Sequence, residues 1–191
     1  MTTMLTARRT YEMLENQSLW ETATHVHEIL ATEEIPHAVV GGVAVCLDGY
    51  RRNTVDLDLL VRPADSAAVQ TALESGGYAF TKGTKEFRSP SGVAVQLVMA
   101  GDKEGPGQPA VFPDPADSAA VTSIEELPVL TLAALIQSKL ACGLGNLRRT
   151  HKDFADVVEL IAIHKLKTSF AKKLHDSVRP EFKELVRHAQ G

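Results

Sequence analysis

Two aspartates separated by one apolar residue, Asp56 and Asp58, stand inside the run Val55-Asp56-Leu57-Asp58-Leu59-Leu60-Val61. Carboxylates in so apolar a segment are costly unless something compensates their charge. On a strand, residues i and i+2 project from one face. The pair can therefore share a divalent cation through hard oxygen ligands, the arrangement that metal-assisted phosphoryl transfer uses. Taken alone, the motif reads equally well as a solvated strand edge or as Arg-paired aspartates, so its neighbours must decide.

Upstream, the β-rich run His37-Ala38-Val39-Val40 ends in Gly41-Gly42 and passes into Val43-Ala44-Val45-Cys46-Leu47, which reads as strand, tight turn, helix. A turn without side chains lets backbone N–H groups approach a phosphate; a purely structural turn is the alternative. Neither GxGxxG nor GxxxxGK[ST] accompanies these glycines, so the dinucleotide fingerprint and the P-loop do not apply. Arg52, with its planar fork, suits either pairing with the aspartates or orienting a phosphate.

The stretch GGVAVCLDGYRRNTVDLDLLV resembles the nucleotidyltransferase signature of two small residues, a helix, and an aspartate-hydrophobic-aspartate strand. The run Arg52-x-Thr54-x-Asp56-x-Asp58 is especially similar to AbiEii-type toxins and the minimal nucleotidyltransferases related to them. The resemblance implies an α/β (α+β) nucleotidyltransferase fold: a mixed β-sheet flanked by helices, then a C-terminal helical part. It implies that Gly41 and Gly42, with Arg52 and Thr54 beside them, hold the triphosphate of an NTP, and that Asp56 and Asp58 hold Mg²⁺. The implied reaction moves an NMP from the NTP to an acceptor hydroxyl on RNA, protein or a small molecule. The same likeness suggests a toxin of a toxin–antitoxin pair, with an antitoxin as partner.

A second group of residues lies downstream. In the helix expected from Leu132, Lys139 falls on the apolar stripe of Leu132, Leu135, Ile136 and Leu140. It reads either as a lysine snorkelling at the stripe's edge or as an ammonium meeting a phosphate or carboxylate. The segment from Leu147 to Val157 resembles the K…R…KDxxD helices of the same family, extending the likeness over about residues 35 to 165. By that likeness Lys139 contacts the nucleotide phosphates, and Asp153 and Asp156 face the cleft and position Lys139 or the metal shell. Read without it, Asp153 and Asp156 are ordinary first-turn helix charges. Arg148, Arg149, His151 and Lys152 form a local basic patch, suited to an RNA acceptor or to plain solvation.

One position departs from the family pattern. Many nucleotidyltransferases carry a third carboxylate on a later strand as general base, whereas the strand Val93 to Val98 offers Gln96. An amide takes no proton at neutral pH, so either the helical half supplies the base, through Asp153, or the chain is a catalytically impaired nucleotide-binding or interaction module.

Several elements must position these residues. A long amphipathic helix is expected over Thr10 to Thr32, with Leu14, Leu19, Ala23, Val26 and Leu30 on its apolar face. Residues 55–61 read as a central strand, 65–75 as a helix closed by Gly76-Gly77, and Tyr78 to Phe80, Glu86 to Arg88 and Val93 to Met99 as strands of one mixed sheet. The Gly-, Pro- and Asp-dense segment 101–118 reads as a long surface loop bordering a site. After Pro128 four helices are expected: Leu132 to Cys142, Lys152 to His164, Ser169 to Ser177, and Pro180 to Ala189. This divides the chain into an α/β core with its N-terminal helix (1–125) and a helical region packed on it (126–191).

Composition fits that reading. With 44% hydrophobic and 23% charged residues the 191-residue chain is an ordinary globular one. A net charge of -4 excludes a protein-wide basic surface for nucleic acid. Cys46 and Cys142 lie far apart in apolar segments and are expected to be buried, reduced thiols. No apolar h-region and no run of about 18 apolar residues is present, so a cytoplasmic protein without membrane contact is expected.

Overall fold

A computed structural model describes residues 6–13 and 16–189. Seven strands, β1 (His37–Val40), β2 (Asp56–Val61), β3 (Ala79–Thr81), β4 (Glu86–Arg88), β5 (Ala94–Met99), β6 (Val121–Ile124) and β7 (Leu127–Leu130), form one mixed sheet in the order β3-β4-β5-β2-β1-β7-β6. β2 runs parallel to β5 and antiparallel to β1, and β7 runs parallel to β1. The helices are α1 (Ala7–Met13), α2 (Gln17–Thr32), α3 (Gly41–Leu47), α4 (Ser66–Ser75), α5 (Leu132–Gly145), α6 (Thr150–Ile163) and α7 (Arg179–Ala189). This is the expected α/β architecture with a helical C-terminal part.

The central strands are the apolar ones. Leu57, Leu59, Leu60 and Val61 of β2 are fully buried, as are Ala38 and Val39 of β1 and Val95 of β5, as interior strands covered on both sides require. Alternation gives the sheet two unlike faces. Residues of α4 share a cavity wall with Phe80, Phe87 and Leu97 on one face. Residues of α5 meet Val40, Asp58 and Val98 on the other. α6 packs on α5, and α7 packs on α6.

Three expectations about elements are corrected. The single helix over 10–32 is two, α1 and α2; α2 begins after Asn16, whose N–H donates to the Tyr11 carbonyl (2.9 Å). Leu14 of the expected stripe lies outside the described residues, while Leu19, Ala23, Val26 and Leu30 are buried as expected. The hairpin β6–β7 was not foreseen, because Pro128 sits inside it and proline usually demotes a strand; the expected division after residue 125 falls within this hairpin. The helix expected over 169–177 is two 3₁₀ turns, Thr168–Lys173 and Asp176–Val178. Segment 101–118 is the expected loop, mostly exposed and lining a cleft through Glu104 and Phe112; within it the Gly101 N–H donates to the Phe112 carbonyl (2.9 Å), the Phe112 N–H donates to the Asp102 carbonyl (2.9 Å), and Lys103 bridges Val111.

Cys46 is buried and Cys142 half-buried, both as free thiols. Among the described residues, no helix is long and apolar enough to cross a membrane.

Candidate active site

The expected site residues of the sheet half converge where β1 ends and β2 begins. Val40, the last residue of β1, lies directly opposite Asp58 in the antiparallel register. The chain then turns into α3 through Gly41, at φ +66°. A Cβ on Gly41 would overlap Asp58 Oδ2 and sit 2.8 Å from Asp58 Cγ. A Cβ on Gly42 would lie 2.6 Å from Thr54 Oγ1 and 3.2 Å from Arg52 Nη2. Each glycine is thus demanded by what approaches it: Gly41 by the second aspartate and by its backbone angle, Gly42 by the Arg-x-Thr segment.

That segment orients the first aspartate. Thr54, nearly buried, donates from Oγ1 to Asp56 Oδ1 (3.0 Å). The Asn16 side chain, at the start of α2, donates to the Thr54 carbonyl (2.6 Å) and to Asn53 Oδ1 (3.0 Å). Asn16 was not expected in the site region; only the tertiary approach of α2 to this segment reveals it.

Asp56 and Asp58 are both half-buried on one face of β2. Burial, and then the charge of Asp56, push the Asp58 carboxyl up to about 6, against the opposing pull of Lys139, Arg149 and Lys152. Among the described residues no hydrogen bond or ion pair reaches the Asp58 carboxylate, and no group of three or more His, Cys, Asp or Glu gathers as a metal cage. Two oxygen-bearing side chains that repel one another and lack a cationic partner are a donor set suited to a hard divalent cation, whose remaining ligands would come from outside the protein.

The helical half supplies the opposite wall. Lys139 is 4% exposed, buried rather than snorkelling, and its Nζ lies 3.1 Å from Asp153 Oδ1 and 2.8 Å from Asp156 Oδ2. Arg149 donates from Nε to Asp153 Oδ2 (3.0 Å). Arg52 donates from Nη2 to Asp156 Oδ2 (3.0 Å); its Nε lies 2.7 Å from Oδ1 but off the hydrogen-bonding direction, so that contact is ionic. Burial alone would raise the Asp153 carboxyl, but the Arg149 hydrogen bond and the charges of Lys139 and Arg149 outweigh it and hold the group below its ordinary value. The network joins α5 and α6 to the Arg-x-Thr segment. Of the basic patch, Arg149 is tied into this network, while Arg148, His151 and Lys152 are exposed.

Gln96 of β5 lies directly opposite Asp58, on the same face, and is exposed. It belongs to the site by position, as an amide beside the acid pair.

A cleft of about 120 Å³ separates the two walls, lined by Gly41, Asp58, Lys139, Arg149 and Asp153 and closed at one side by Glu104 and Phe112 of segment 101–118. Glu104 was not among the expected residues. It is buried, accepts from Gln137 Nε2 (3.1 Å), leaves Oε1 without a partner, and burial pushes its carboxyl up to about 7 against that hydrogen bond. A larger cavity, about 680 Å³, lies on the other face of the sheet, against Phe80, Phe87 and Leu97, and contains none of these groups. The side chains that could do chemistry gather at the smaller cleft.

Solved structures share this architecture. The chain is similar to a candidate nucleotidyltransferase from H. pylori (TM-score 0.54, 18% identity, covering 93% of this chain and 92% of that one). It is also similar to a candidate nucleotidyltransferase, TM1012, from Thermotoga maritima (TM-score 0.51, 16% identity, 70% and 88%). It is similar as well to JHP933 from Helicobacter pylori (TM-score 0.51, 15% identity, 91% and 89%). No family model and no curated protein sequence matches the chain. The protein has the nucleotidyltransferase fold, as its sequence signature implied.

Proposed function

We propose that the protein is a Mg²⁺-dependent nucleotidyltransferase of the AbiEii-like kind, moving an NMP from an NTP to an acceptor hydroxyl with release of pyrophosphate. The observation that carries this reading is the fit of Gly41 to Asp58: a turn with no room for a side chain, set against a carboxylate pair with no cation of its own. Asp56 and Asp58 would hold Mg²⁺, which when bound supplies charge neutralisation to the phosphates. Thr54 keeps Asp56 turned toward the site. The backbone amides of the glycine turn and the Arg52 guanidinium flank the space where the triphosphate would lie.

Lys139 faces that space with its ammonium fixed between Asp153 and Asp156. The two aspartates act as positioning residues: they hold Lys139 at the phosphates, and a fixed charge stabilises a developing one without reorganisation. Asp153 is a poor proton acceptor in this setting, because both its oxygens are already engaged by cations. The acceptor is an RNA, protein or small-molecule hydroxyl, and the biological role proposed is that of a toxin restrained by an antitoxin. Gln96 beside Asp58 favours a second reading, a nucleotide-binding module that has lost turnover.

The test is incorporation from each α-labelled NTP, with Mg²⁺, into the RNA, protein and small-molecule fractions of a cell lysate. The expected result is label in one fraction, abolished by Asp56→Asn in a protein that keeps its fold. Nucleotide binding without label in any fraction would select the second reading, and an unaltered rate in Asp56→Asn would remove the first.

A further inference from the structure

The helical half covers the site face of the sheet only in part. β2 pairs with β5 and β5 with β4, and the two registers align into continuous rows across the sheet: Asp58–Gln96–Glu86 and Asp56–Ala94–Arg88. The pairing of β4 with β3 extends the rows to Thr81 and Ala79. Residues directly opposite one another project from the same face, so all of these share the face of the acid pair. Beyond β2 that face is open in part: Gln96, Arg88, Thr81 and Ala79 are exposed, while Ala94 is buried and Glu86 is half-buried between them. The result is a partly open platform running from the acid pair to the sheet edge, on which Gln96 and Arg88 are the exposed long side chains.

Among the platform residues Glu86 is the carboxylate. Its side chain is 12% exposed, so it stands at the surface without swinging freely, and Arg88, two residues along the same face, donates from Nη2 to its Oε1 (2.6 Å). Arg88 also donates to the Gly92 carbonyl (3.0 Å), which anchors the guanidinium and, through it, Glu86. One strand separates Glu86 from Asp58, roughly 10 Å between backbones at about 4.8 Å per strand. The Gln96 amide occupies that interval.

We propose that the acceptor binds on this open face over Gln96 and that Glu86 is the general base. This rests on the transferase reading above. In the step assigned to it, Glu86 takes the proton of the acceptor hydroxyl. The hydroxyl oxygen forms a bond to the α-phosphorus, and the bond from that phosphorus to the bridging oxygen breaks, its electron pair leaving with pyrophosphate. The carboxylate missing from β5 is thus supplied from one strand further out, on a side chain one methylene longer than aspartate. Such an arrangement asks the acceptor to lie across the platform rather than enter an enclosed pocket.

The test uses full-length protein, α-labelled NTPs with Mg²⁺, and the lysate fraction that the unaltered protein labels. Glu86→Gln is expected to lower the transfer rate at saturating NTP about 100-fold, the lower end of what a general base contributes, with nucleotide affinity changed by less than about twofold. Adding Gln96→Glu to that variant returns a carboxylate to the row and is expected to recover at least about tenfold of the loss. A rate in Glu86→Gln within about threefold of the unaltered protein overturns the assignment, as do equal rates in the single and double variants, which trace the loss to sheet-edge damage instead of proton transfer. Absence of label with the unaltered protein overturns the transferase reading itself, and this assignment with it.

Discussion

Asp56 and Asp58 on β2 and Asp153 and Asp156 on α6 border one cleft, yet their charges are met in opposite ways. The helical pair is the more deeply buried, 0% and 1% exposed, and is surrounded by Lys139, Arg149 and Arg52. The sheet pair is only half-buried, has a threonine hydroxyl as its near partner, and repels itself strongly enough to help hold the Asp58 carboxyl at about 6. The helical carboxylates are paired with cationic side chains and tie α5 and α6 to the Arg-x-Thr segment, whereas the sheet pair has no cationic partner among the described residues. Arg52 links the two, since it lies beside Gly42 yet spends its charge on Asp156, 104 residues away. Pairing of charge, rather than depth of burial, separates the two groups, and under the function proposed above the unpaired one is the group left to a ligand.

The largest effect that would break this contrast is on stability. Asp153→Ala leaves Lys139 and Arg149 short of a buried partner, and losing one member of such a network costs about 3–5 kcal/mol. Urea denaturation is expected to show that loss, while Asp56→Asn stays within about 1 kcal/mol of the unaltered protein. Comparable losses in both variants would erase the distinction between scaffold and site.

Glu104 sharpens the contrast from a third position, as a buried carboxyl with one oxygen unpartnered and no cation near enough to complete it. Its folded value of about 7 lies above the ordinary 4.5 of a free glutamate, so the folded state binds the proton more tightly. Its contribution to stability is therefore full at low pH and is lost as the pH rises toward about 7. Glu104→Gln keeps an amide facing Gln137 and removes the charge, so it should stabilise the protein by about 2 kcal/mol at pH 8 and by little at pH 4. Thermal melts at the two pH values check this; an equal shift at both would show that packing, not charge, governs the position.

A smaller effect of the same sign belongs to Asp58, raised from 3.8 to about 6. In metal-free buffer Asp58→Asn is expected to raise stability by about 1–2 kcal/mol at pH 8 and to do little at pH 4. Added Mg²⁺ should raise the melting temperature of the unaltered protein and not that of the variant, as a ligand that binds only the folded state does. A Mg²⁺ shift that survives the substitution would place the cation elsewhere.

The local pattern of the sequence determined much of this protein. The alternation around Asp56 and Asp58, the glycines after an apolar run, and the helical spacing of Leu135, Ile136 and Leu140 each depend on neighbours within a few residues, and each is present in the fold. Local pattern failed at Pro128, which sits in a hairpin at one end of the sheet despite the usual meaning of proline, and near Asn16, where the expected single helix is two. The tertiary structure alone decided which charges meet. Whether Lys139 snorkels or is buried depends on residues 14 and 17 positions further along the chain, and the union of Arg52 with Asp156 joins segments 104 residues apart. The row from Asp58 through Gln96 to Glu86 exists only in the strand register, because pairing between strands is set by long-range packing that no local spacing encodes.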